Sequence, residues 1–247
     1  MDRHRAPSID GSNIVMRQRG RSIRLVLTIG IAALLGVGTA IADIKNGSFD
    51  ADGARRATAE MDRDKTLQSS VHACPADVFR KEASLGGLLL GDEAVTRDHC
   101  AARPEECYHT CIGKRSGEHC FRLALAFQEN ESVIAPRYAQ LMFAMACALG
   151  KASGCTNRAA HMRNAAEEGD PLESLSAKAS ERCQFRSFKI ACASNDHWGC
   201  AMLGQAYRNG EGVKKSIALA RRSYRKSCRL DPEFAACEFS RRALTSM

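Results

Sequence analysis

The chain has 247 residues, 45% hydrophobic but only 6% aromatic, with a formal net charge of +8. That length holds one elongated helical array with a continuous core, and no stretch alternates apolar and polar residues as half-buried strands do. Six arginines and two aspartates in the first 24 residues supply half of the net charge, and the remainder forms no dense basic stripe interleaved with aromatics, which excludes nucleic acid as a partner.

The N-terminus reads as an export signal. Arg17, Arg19, Arg21 and Arg24 precede an uncharged run, residues 25–42, which ends in Ala40-Ile41-Ala42 before Asp43. Cleavage there removes residues 1–42 and leaves a secreted or periplasmic protein. The same 18 uncharged residues nearly span a bilayer, so the other reading is a retained anchor through residues 25–42, with an external domain on the inner membrane. Met16 is a second candidate translation start, since residues 1–15 add little to a signal.

Residues 43–70 are polar and charged and are expected to form a tether, with a short helix near residues 54–63. Order is expected from about Val71 onward. Pro75 suits the first turn of a helix through Val78, Phe79 and Ala83. Residues 86–91, Gly-Gly-Leu-Leu-Leu-Gly, read as a worn helix and turn, so 71–110 is expected to be a degenerate first repeat. Residues 100–120 then crowd Cys100, Cys107, Cys111 and Cys120 with His99, His109 and His119. Sulfur and imidazole suit zinc, but the spacing lacks a Cys-x-x-Cys knuckle, and no metal site is assigned.

From there the cysteines keep a period. They fall at Cys111 and Cys120, Cys147 and Cys155, Cys192 and Cys200, and Cys228 and Cys237, with first members stepping by 36, 45 and 36 residues. The longer middle unit carries its extra length in residues 165–180, where Pro171 must end one helix or begin the next. The clearest unit is the last complete one. Leu203, Gly204 and Tyr207 recur at helical spacing, and Gly210 and Gly212 supply a turn in Arg208-Asn209-Gly210-Glu211-Gly212-Val213. Ala220 and Tyr224 then mark one face of a second helix. In the unit before Cys147, Leu123, Ala124, Phe127, Asn130, Val133, Ala139 and Phe143 stand in the corresponding places. Beyond Cys237 the chain runs into one more first helix, cut short, which suits a C-terminal cap.

These residues resemble a Sel1-like repeat, a relative of the tetratricopeptide repeat. The resemblance is closest over residues 200–213 and departs at Lys215, where the family usually has an acidic residue. It implies an all-α fold, an α-α superhelix or solenoid of two-helix hairpins, with residues 111–247 as the repeats. The framing cysteines resemble those of cysteine-rich secreted members of the family, in which one disulfide staples each repeat. That implies Cys111 bonded to Cys120, Cys147 to Cys155, Cys192 to Cys200 and Cys228 to Cys237. Cys74, Cys100, Cys107 and Cys183 remain, with three pairings open.

The same cysteine-rich family includes members classed as β-lactamases and penicillin binders. Ser223-Tyr224-Arg225-Lys226 fits Ser-x-x-Lys, but Ser-Asp-Asn and Lys-Thr-Gly are absent and Tyr224 holds a core position. His197 and Trp198 sit at a corner between paired cysteines and read as structural. Arg221, Arg222, Arg225 and Lys226 form a basic cluster that is either a solvated face or a contact for an acidic partner or an anionic envelope surface. No catalytic residue and no cofactor is assigned. The expected function is an interaction scaffold that binds an envelope or extracellular protein or peptide on its concave face. The alternative is a β-lactamase-like hydrolase, or a binder of penicillin or cell-wall fragments.

Overall fold

The computed structural model describes residues 49–65, 67–68, 74–80, 95–164 and 177–247. The expectations for the leader, for the turn at 86–91 and for most of the insertion at 165–180 lie outside the described residues. Among the described residues every regular element is a helix, and the helices pack chiefly on their neighbours in sequence, as in an all-α solenoid. No described helix is long and apolar enough to cross a membrane.

The first helix, α1 (Ala51–Arg63), is capped by Asp50, whose carboxylate accepts from the N–H groups of Asp52 and Gly53. Its Ala54, Ala57 and Met61 are fully buried, as is Leu67 beyond it. This part of 43–70 is therefore packed structure rather than a tether. Its buried stripe, Gly53, Ala54, Ala57, Thr58 and Met61, is built mostly of small residues among charges, so mean polarity hides it while helical spacing reveals it. The short α2 (Pro75–Val78) has proline in its first turn. It lies against three helices much later in the chain, Pro136–Ala148, Ala152–Asn164 and Ala177–Ala193, so residues 74–80 do not form part of a first repeat.

Next come α3 (Arg97–Ala102), α4 (Pro104–Gly113) and three hairpins: α5 (Gly117–Glu129) with α6 (Pro136–Ala148), α7 (Ala152–Asn164) with α8 (Ala177–Ala193), and α9 (His197–Asn209) with α10 (Ile217–Leu230). One more helix, α11 (Ala235–Thr245), follows the third hairpin. Side-chain oxygens start several of them: Ser116 accepts from the His119 N–H, Asp196 from Gly199 and Ser216 from Leu219. In the C-terminal part the first helices adjoin, because α9 packs against both α7 and α11 as well as its own partner α10, whereas α5 packs on α3, α4 and α6.

Two cores result. One runs from Ala54 to Leu149 and is centred on Phe121, Leu123, Leu141 and Phe143. The other, toward the C-terminus, gathers Phe188, Trp198, Met202 and Ala236, with Tyr224 and Ala220 beside it against α11. Between them lie two small clusters, Cys147, Cys155 and Ala191 with Phe79, and Cys74, Met162 and Cys183.

Candidate functional site

The corners between hairpins are sulfur-bonded. Cys111–Cys120, Cys147–Cys155, Cys192–Cys200 and Cys228–Cys237 have Cα atoms 4.9, 4.7, 4.4 and 4.4 Å apart. The other four cysteines bond as Cys74–Cys183 and Cys100–Cys107. No thiol remains free, so no cysteine in residues 100–120 is a thiolate ligand for zinc.

The corners contain further residues that spacing alone does not single out. A Cβ on Gly154 would stand 2.7 Å from the Cys147 nitrogen, and one on Gly199 would stand 2.6 Å from the Ala191 Cβ. At these two corners the residue before the second cysteine has no room for a side chain. Asp196 caps α9 and also accepts from the hydroxyls of Ser153 and Thr156, both at 2.7 Å, which ties the corner to the first helix of the preceding hairpin. The Gly-Cys dipeptides at 154–155 and 199–200 were the available signal.

The repeat-motif residues assemble around one ring. Tyr224 is 1% exposed and Ala220 is fully buried, and a Cβ on Gly204 would stand 2.7 Å from the Tyr224 ring. Leu203 is buried in the same region. Tyr207 is half-buried, its ring edge-on to Phe185 at 5.3 Å. Burial pushes the Tyr224 phenol up to about 12 against the opposing charge of Arg208. Gly210 ends α9 at φ 83°, with its N–H on the Ala206 carbonyl. Gly212, at φ 65°, presses the turn onto α8, where any side chain would overlap the Glu181 carbonyl. Val213 is half-buried after it. Between the glycines, Glu211 faces Arg163 of the preceding hairpin at 3.8 Å. Burial lowers the Arg163 pKa, and Glu211 offsets part of that. The Gly-x-Gly turn is therefore a joint between hairpins as well as a chain reversal.

The groups that sequence offered for chemistry have other partners. Ser223 donates to the Leu219 carbonyl within its own helix, and Lys226 donates to the Cys192 carbonyl. Trp198 is buried beside Phe239, and the His197 ring lies 4.9 Å from Phe234. Arg221 donates to the Met247 carbonyl, whereas Arg222 and Arg225 are exposed.

At the other end of the array, His109 on α4 lies 3.0 Å from the Glu60 carboxylate on α1. Ligand atoms of Glu60, Glu105 and His109 all fall within 4.8 Å of one another. A surface cavity of about 460 Å³ opens beside them, lined by Glu105, Glu106, His109, Thr110 and Lys114.

No family model, no curated protein and no solved structure matches the chain.

Proposed function

We propose that the chain is an exported Sel1-like repeat protein that serves as a protein-interaction scaffold in the cell envelope, secreted or periplasmic once its leader is cleaved. The reading rests on one observation above the rest: three first helices adjoin, α9 against both α7 and α11, which builds a ridge across the C-terminal units. An extended protein or peptide lying along that ridge meets one helix per repeat. Export is supported by the sulfur chemistry, since twelve cysteines all in disulfides suit an oxidising compartment.

The test is site-specific photo-cross-linking in the producing cell. Probes replace Gln205 on α9 and Glu238 on α11, and controls replace the exposed Lys189 on α8 and Arg222 on α10. The expected result is one envelope species captured from the first-helix positions and not from the controls. Absence of that pattern overturns the scaffold. Nitrocefin turnover by the oxidised protein that follows its folded fraction and survives Ser223→Ala would move the assignment to the hydrolase.

A further inference from the structure

We propose that Glu60, Glu105 and His109 form a binding site for a zinc-class divalent cation, which clamps α1 to α4. Glu105 and His109 lie four residues apart on α4 and so project from the same face. Glu60 reaches that face from α1, and the three ligand atoms already lie within 4.8 Å of one another. Ligands about 2.0–2.2 Å from zinc lie about 3–4 Å apart, so a closure of about an ångström completes the shell. The side chains are free to make it: Glu60 is 40% exposed, Glu105 32% and His109 56%.

The donor set is one imidazole and two carboxylates, a combination that suits zinc and its neighbours better than calcium or magnesium. Arg56 donates from Nε to Oε2 of Glu105 at 2.7 Å. That contact orients the carboxylate and leaves its other oxygen for an ion, as outer-shell partners of metal ligands do. The fourth position of a tetrahedral ion opens to the adjoining cavity, where water fills it.

The location gives the clamp a purpose. Helix α4 is stapled twice, through Cys107 and Cys111. Helix α1 contains no cysteine and docks on α4 through packing, the exposed Arg56–Glu105 ion pair and the Glu60–His109 contact. An ion bonded to both helices supplies across this joint what disulfides supply at the corners.

The oxidised full chain, stripped with a chelator, is titrated with Zn2+ by calorimetry, and Co2+ replaces Zn2+ for the visible spectrum of a four-coordinate site. One ion per chain is expected. His109→Ala and Glu60→Gln should each weaken binding by at least the about 10–100-fold that losing an outer-shell partner costs. His99→Ala, beside the neighbouring His99–Glu106 pair, should bind as the parent does. Zn2+ should also slow amide exchange in α1 of the parent but not of His109→Ala, whose side chain is exposed and whose fold the disulfides hold. No saturable binding, equal binding by parent and His109→Ala, or loss of binding in His99→Ala overturns the proposal.

Discussion

At Gly204 the α9 backbone approaches α10 so closely that the Tyr224 ring occupies the space a methyl group would need. Gly204→Ala is therefore expected to lower stability by about 1–3 kcal/mol through overpacking, read by urea denaturation. Combining it with Tyr224→Leu should cost less than the two single changes summed, because the second change removes the clash the first creates. Tyr224 also governs an alkaline limit, together with Tyr108, which burial and the nearby carboxylates of Asp64 and Glu60 raise to about 12. Both phenols favour the neutral form when folded, so their contribution is intact below about pH 10, where unfolded tyrosine titrates. It is lost as pH rises from there through the folded pKa, because only the unfolded chain has released its protons. Circular dichroism against pH should show that loss, with a slope of about 1 kcal/mol per pH unit per tyrosine. Tyr224→Phe should flatten the limb. Gly204 and Tyr224 were legible in the sequence because each repeats at helical spacing inside one hairpin. Asp196 with Thr156, Arg163 with Glu211 and Glu60 with His109 were not, since each joins residues about 40–50 positions apart and a local period contains no information about such partners.

The corners show what a single element contributes. Cysteines 8 or 9 positions apart close small loops, each worth about 2–3 kcal/mol on the chain-entropy account. Replacing Cys192 and Cys200 together by serine should lower stability by that amount in urea. Replacing Cys228 and Cys237 should do something more local. Helix α11 packs on α9 and α10, and its Phe239 covers both Trp198 and Tyr224. Opening that corner should let α11 fray, shifting the emission of the single tryptophan to the red while helix content elsewhere is kept; unchanged emission would show that packing alone holds the cap. The corner cysteines were visible from the period, because each pair spans a helix end, a short turn and a helix start. The role of residues 51–68 was not visible by composition, since Ala54, Ala57 and Met61 sit among charged neighbours. Cys74 was misleading by count alone. It lies in phase with Cys111, yet its sulfur bonds Cys183, in the second helix of a hairpin two corners later.

That bond bears on how the whole molecule unfolds. Among the described residues the main cores are separate, one ending near Leu149 and the other beginning near Ala159, with small clusters in the seam. In a linear array each unit stabilises its neighbour through such a seam, and a weak one lets the two parts melt apart. Here the segment 74–80 straps across it. Cys74 is bonded to Cys183 on α8, Asp77 pairs with Arg186 on α8, and Phe79 packs with Cys147, Cys155 and Ala191 from both sides. The bond closes a span of 109 residues, for which the chain-entropy account gives about 4–5 kcal/mol. Trp198, 3% exposed, reports only the C-terminal core, whereas far-UV circular dichroism reports every helix. In the parent the two signals should change together in urea. In Cys74→Ser/Cys183→Ser they should separate, because the shorter C-terminal array then loses its tie to the larger core and melts first. Coincident transitions in that variant would mean that the α6–α7 corner alone couples the halves and that the strap is dispensable.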